Sequence, residues 1–111
     1  MTRLDPKRYN HRVINLKKGD VCWVRALQYG NIIGCKSRPV VITGIASNGA
    51  VKCRKCTTNG DGLDRKEIID TVIAGLYRRT FVTTEDMVVP INRISWIMGH
   101  LSNEDEDWVC A

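Results

Sequence analysis

The chain has 111 residues, 43% of them hydrophobic, and a net charge of +5, a size at which one hydrophobic core forms and a second does not. No apolar run approaches the roughly 20 residues that a bilayer-spanning helix needs, and the polar stretch from Arg3 to Asn10 lacks the apolar segment of a secretory signal, so a cytoplasmic protein is expected. The charge is uneven, with +10 on residues 1–60 and −5 on residues 61–111; such a separation focuses positive potential and suits a polyanionic partner.

Residues 1–18 carry Arg3, Lys7, Arg8, Arg12, Lys17 and Lys18 and read as a flexible basic arm, leaving residues 19–111 as a single domain. Gly19-Asp20 is a turn signal, and the β-branched and aromatic residues from Val21 to Leu27 predict a strand. Tyr29 to Ser37 has no period and reads as a long loop. Arg38 to Ile45 predicts a second strand, apolar on both faces and therefore central. Ser47-Asn48-Gly49 is a hairpin signal, so Ala50 to Thr58 is expected to return antiparallel to it.

Asn59-Gly60-Asp61-Gly62 breaks the chain. Between Lys66 and Ile73 the spacing fits a brief strand followed by one helical turn as well as it fits a helix. Thr80 to Val89 reads as a strand stopped by Pro90, and Ile94 to Met98 as another. Ser102-Asn103-Glu104-Asp105 has the form of a helix N-terminus, with a hydroxyl to accept a backbone N–H and acids at the positive end of the dipole. Many short strands, close turns and little helix predict a strongly curved antiparallel sheet or a partly open β-barrel.

Five cysteines, Cys22, Cys35, Cys53, Cys56 and Cys110, form an odd set placed mostly in apolar segments, which points to reduced thiols rather than a disulfide frame. Cys53 and Cys56 are three apart on a predicted strand and so face opposite sides, which argues for buried hydrophobes rather than a zinc or redox pair. His11 and His100 are not placed to act as an acid/base pair, and neither a phosphate loop nor a Ser–His–Asp set is present. The predicted hairpin, by contrast, carries Arg38 and Thr57 to one open end, where a planar cation beside hydroxyls and backbone donors suits a phosphate.

Gly19-Asp20-Val21-Cys22-Trp23-Val24, Lys36-Ser37-Arg38-Pro39-Val40-Val41-Ile42 and Cys56-Thr57-Thr58 together resemble, in order and spacing, the toxins of the PemK/MazF family. Ala74-Gly75-Leu76, Thr80-Phe81-Val82 and Ile97-Met98-Gly99-His100-Leu101-Ser102 extend the resemblance, which runs from about Leu16 to Trp108. It implies a small SH3-like antiparallel β-barrel with short helices, a homodimer, and metal-independent, sequence-specific cleavage of single-stranded RNA, with no cofactor and with neutralisation by an acidic antitoxin. It further implies Arg38 and Thr57 as the catalytic pair and RNA contacts at Lys36, Thr58, Asn59, Arg25 and Lys55. An Arg is a poor general base, and Tyr29 to Ser37 contains no acid, so the proton acceptor is left unassigned. The alternative is a barrel of the same fold that binds nucleic acid or inhibits gyrase without catalysis.

Overall fold

In the computed structural model, residues 16–27, 36–47, 49–62 and 64–110 are described. The predicted loop from Tyr29, apart from Ser37 and the backbone of Lys36, lies outside them, as do His11, Cys35 and residues 1–15 of the predicted arm. At the described end of that arm, Leu16 packs against the core and the Lys17 N–H donates to Asp20 Oδ2 at 2.9 Å.

The described residues form seven strands in chain order: β1 (Asp20–Leu27), β2 (Lys36–Ser47), β3 (Ala50–Thr57), β4 (Arg65–Glu67), β5 (Phe81–Thr83), β6 (Met87–Pro90) and β7 (Ile94–His100). One helix, α1 (Asn103–Val109), closes the described chain, and a 3-10 turn at Ile91–Arg93 joins β6 to β7. The sheet is antiparallel, in the order β4-β5-β3-β2-β1-β7, with β6 also on β3. Among the described residues its pairings end at β4 on one edge and β7 on the other, so they do not close a barrel.

The sequence explains the centre of this sheet. In β2, Val40 and Ile42 enter one apolar cluster with Cys22, Val24, Val51 and Cys53, while Val41 enters the other with Val21, Cys56, Leu101 and Val109. A strand buried on both faces belongs in the middle, and β2 stands between β1 and β3. Ser47 pairs with Ala50 around a two-residue turn whose Gly49 has φ +84°, the positive φ that such hairpin turns require.

One difference from the sequence reading has a physical cause. The predicted strand from Thr80 to Val89 divides into β5 and β6, because β5 pairs with the end of β3 at Cys56 and Thr57 while β6 pairs with its start from Ala50 to Cys53. The chain leaves the ladder between them, where the Thr84 N–H donates to the Asp64 carbonyl and Asp86 takes the Arg54 guanidinium at 2.9 Å. In the ambiguous stretch from Lys66, the short strand β4 leads into turns, and no helix forms over residues 68–76.

Helix α1 begins as its sequence predicts. The Ser102 hydroxyl accepts the Asp105 N–H, and Glu104, Asp105 and Glu106 occupy the first turn. Asp105 is completely buried, and its carboxylate accepts the Ile69 and Asp70 N–H groups, each at 2.9 Å, and the Trp108 indole N–H at 3.1 Å. These bonds tie the helix to the turn after β4. No helix of the described residues is long and apolar enough to cross a membrane.

Candidate functional site

The second apolar cluster does not fill its side of the sheet. Where β1, β2 and β3 run out toward Trp23, Arg38 and Thr57, an open groove of about 480 Å³ remains. Pro39, Cys56, Leu76 and Met98 contribute apolar surface; Arg38, Thr57, Thr58, Thr80, Tyr77 and Arg78 contribute polar groups and an exposed ring. This volume lies within the ~300–1,000 Å³ usual for a ligand pocket.

Strand register assembles the polar side. Val24 pairs with Arg38 across β1 and β2, and Val40 pairs with Lys55 across β2 and β3. Continued two residues toward the end of the hairpin, the second register sets Arg38 across from Thr57. Arg38 is half-buried, with its Nε shielded from solvent, so its charge acts in a less screened setting than a surface arginine's. The Thr57 Oγ1 accepts the Asn59 N–H at 3.1 Å. A hydroxyl engaged in this way as an acceptor still has its own proton to donate.

The thiols nearby are inert. Burial pushes Cys56 up to about 12, an effect that neighbouring Cys53 reinforces and the Arg38 charge opposes. Cys53 is also raised to about 12, by burial and then by the Asp86 charge. The two face opposite apolar clusters, as alternation along the strand requires. Among the described residues no group of three His, Cys, Asp or Glu side chains is placed to hold a metal ion.

Of the residues singled out in the sequence, Arg38, Thr57 and Thr58 meet in the groove, joined by Ser37 of the same motif. Asn59 stands beside it without lining it, with its side chain accepting the Asp61 N–H and its carbonyl accepting Arg65. Lys55 is half-buried on β3 and Arg25 is exposed on β1, and neither lines the groove. Lys36 begins β2 opposite Leu27, and its side chain lies outside the described residues. His100 is held elsewhere, with Nδ1 2.8 Å from Asp20 and Nε2 3.1 Å from Glu106, and it clasps β1, β7 and α1 together.

The structure also revises the charge argument. Arg54, from the basic half, is paired with Asp86 and donates to the Val109 carbonyl. Arg78, from the acidic half, lines the groove. Tyr77 and Arg78 are the site residues that sequence reasoning missed. The signal was an aromatic residue beside two arginines after a glycine, Gly75-Leu76-Tyr77-Arg78-Arg79, an interleaving typical of single-strand binding surfaces. Trp23, on the groove's β1 side, stacks on Trp96 with ring centroids 5.8 Å apart and 16° between planes.

No protein-family model and no curated protein matches this chain.

Proposed function

We propose that this protein is an endoribonuclease of the PemK/MazF kind that cleaves single-stranded RNA without a metal ion. The observation that carries the reading is the meeting of Arg38 with Thr57 and Thr58 in one groove, the arrangement the resemblance implies. In this reaction the ribose 2′-oxygen attacks the adjacent phosphorus and the bond from phosphorus to the 5′-oxygen breaks. The 2′-hydroxyl proton leaves to a base, and the departing 5′-oxygen takes up a proton. Negative charge grows on the phosphoryl oxygens at the transition state, and a guanidinium with two geometrically fixed donors is suited to stabilise it. The Thr57 hydroxyl donates a hydrogen bond to a phosphoryl oxygen and keeps its proton. No step is assigned to a particular general base.

The reading carries further expectations: an SH3-like strand arrangement, a homodimer, an acidic antitoxin as partner, and a cytoplasmic setting. Incubation with single-stranded RNA in EDTA tests the central one. Cleavage by the wild type and its loss in Arg38→Ala are expected; no cleavage, or equal cleavage by both, sinks the proposal.

One observation favours a second reading. Among the described residues the groove's lining contains two arginines but no Asp, Glu or His, a composition that serves phosphate binding without supplying an acid/base pair. A non-catalytic nucleic-acid-binding domain fits that composition, and salt-sensitive retention of RNA without cleavage is its signature.

A further inference from the structure

We infer that Tyr77 is a nucleobase platform, on which one base of a single strand stacks while the neighbouring phosphate lies at Arg38. The inference rests on the reading of the groove as an RNA site, and it adds a residue that selects for bases rather than for phosphates alone. Tyr77 is 89% exposed, so its ring contributes little to the core. The turn beneath it is nevertheless held on several sides. The Gly75 N–H donates to the Val72 carbonyl at 3.0 Å, the Leu76 N–H to Thr71 at 2.9 Å, and the His100 N–H to Ile73 at 3.0 Å. Ala74 and Leu76 are buried in the second cluster, and the buried Asp105 carboxylate anchors Ile69 and Asp70 at the start of the same segment.

A ring presented on a fixed turn loses little conformational entropy on binding. One of its two faces is accounted for: the Arg78 guanidinium lies 5.8 Å from the ring centroid. The residue as a whole is 89% exposed and lines the same groove as Arg38, Thr57 and Thr58. Arg79, the next cation along the chain, is drawn away into a two-bonded pair with Glu67 at 2.7 and 3.1 Å. Among the described residues the groove's lining therefore combines the guanidinium groups of Arg38 and Arg78, the hydroxyls of Thr57, Thr58 and Thr80, and an exposed aromatic ring. Phosphodiesters linked to bases satisfy all three, whereas an acidic peptide uses the cations and has no need of the ring. Every base has a π-face, so the platform tolerates sequence while requiring that a base be present.

The test compares two probes at one fixed salt concentration by fluorescence anisotropy: a random-sequence pool of single-stranded 2′-deoxyoligonucleotides, which lack the attacking hydroxyl, and an abasic strand of equal length. Wild type is expected to bind the base-bearing pool about 5-fold or more tightly than the abasic strand, the margin one stacked base provides. Tyr77→Ala removes that margin and Tyr77→Phe keeps it. Equal affinity for both probes, an undiminished margin in Tyr77→Ala, or no binding of either probe overturns the platform; the first two outcomes would instead fit a protein contact at Tyr77. RNA cleavage is scored separately. Cleavage without a base margin overturns the platform alone, and a base margin without cleavage overturns the nuclease reading alone.

Discussion

Arg38 and Thr57 stand on adjacent antiparallel strands and line one groove, the first with a half-buried guanidinium and the second with a hydroxyl that already accepts the Asn59 N–H at 3.1 Å. Each offers donors to a phosphate, and the two do so differently. Arg38 supplies charge and a planar fork, so Arg38→Lys, which keeps the charge and loses the fork, is expected to behave much like Arg38→Ala. Loss of a positioned donor to a developing oxyanion costs about 100-fold or more in kcat. The check is kcat on a fixed RNA for the two variants, with circular dichroism to establish that both fold. A Lys variant close to wild type would show that charge alone suffices.

Thr57 separates hydroxyl from shape. Thr57→Val retains the volume but removes both the proton donor and the acceptor of the Asn59 N–H, whereas Thr57→Ser retains both. One hydrogen bond to a charged group is worth about 1.5–3 kcal/mol, so Thr57→Val should lose about 10-fold or more in kcat/KM while Thr57→Ser stays within a few-fold. Equal activity in the two variants would remove Thr57 from the mechanism.

The turn that carries Tyr77 and Arg78 depends on two residues that do not touch the groove. Asp105→Ala deprives the Ile69, Asp70 and Trp108 N–H groups of their buried acceptor and should destabilise the fold by about 3 kcal/mol or more. Gly75 has φ +77°, and a Cβ there would strike the Met98 carbonyl. Gly75→Ala is therefore expected to cost about 1–3 kcal/mol and to weaken RNA binding as the turn shifts. Urea unfolding gives the stabilities, and retention of wild-type stability by either variant would contradict the role assigned to it.

Alkaline pH should weaken the fold through its buried thiols. Burial raises Cys22, Cys53 and Cys56 above their ordinary value of 9.0, the latter two to about 12. In the unfolded chain these thiols lose their protons near the ordinary value, while the folded protein holds them, so the unfolded state is favoured increasingly between about pH 9 and pH 12. Their contribution to stability is complete below pH 9 and falls as pH rises through that window. Comparing urea midpoints at pH 8 and pH 10.5 for wild type and Cys53→Ala isolates the effect. The variant should show the smaller decline, and equal declines would refute the linkage. At pH 8 the same three thiols should resist alkylation in the native protein, with Cys110, half-buried and raised by burial first and then by Glu106, reacting before them.

Local pattern was enough for the first half of the described chain. β-branched and aromatic content placed Val21 to Leu27, apolarity on both faces placed the central Arg38 strand, and a hairpin signal placed the return from Ala50, with Gly49 at positive φ in the turn. The Ser102 cap declared its helix. Thr80 to Val89 was less legible, because its division depends on which stretch of β3 each part pairs with, and no local property of those residues encodes a partner.

The groove divides in the same way. Arg38 and Thr57 lie on one hairpin, so counting from its turn was sufficient to bring them together, and the amino-acid sequence by itself determined that pair. Tyr77 and Arg78 join them only because buried Asp105, on α1, and the backbone of β7 hold the intervening turn against the sheet. That convergence depends on contacts between segments far apart in the chain, as does the pairing of Arg54 with Asp86 that draws its guanidinium in from solvent. Side-chain period and turn chemistry act over a few residues. Which cations remain to meet an anion is decided when the elements pack, and only the tertiary structure shows it.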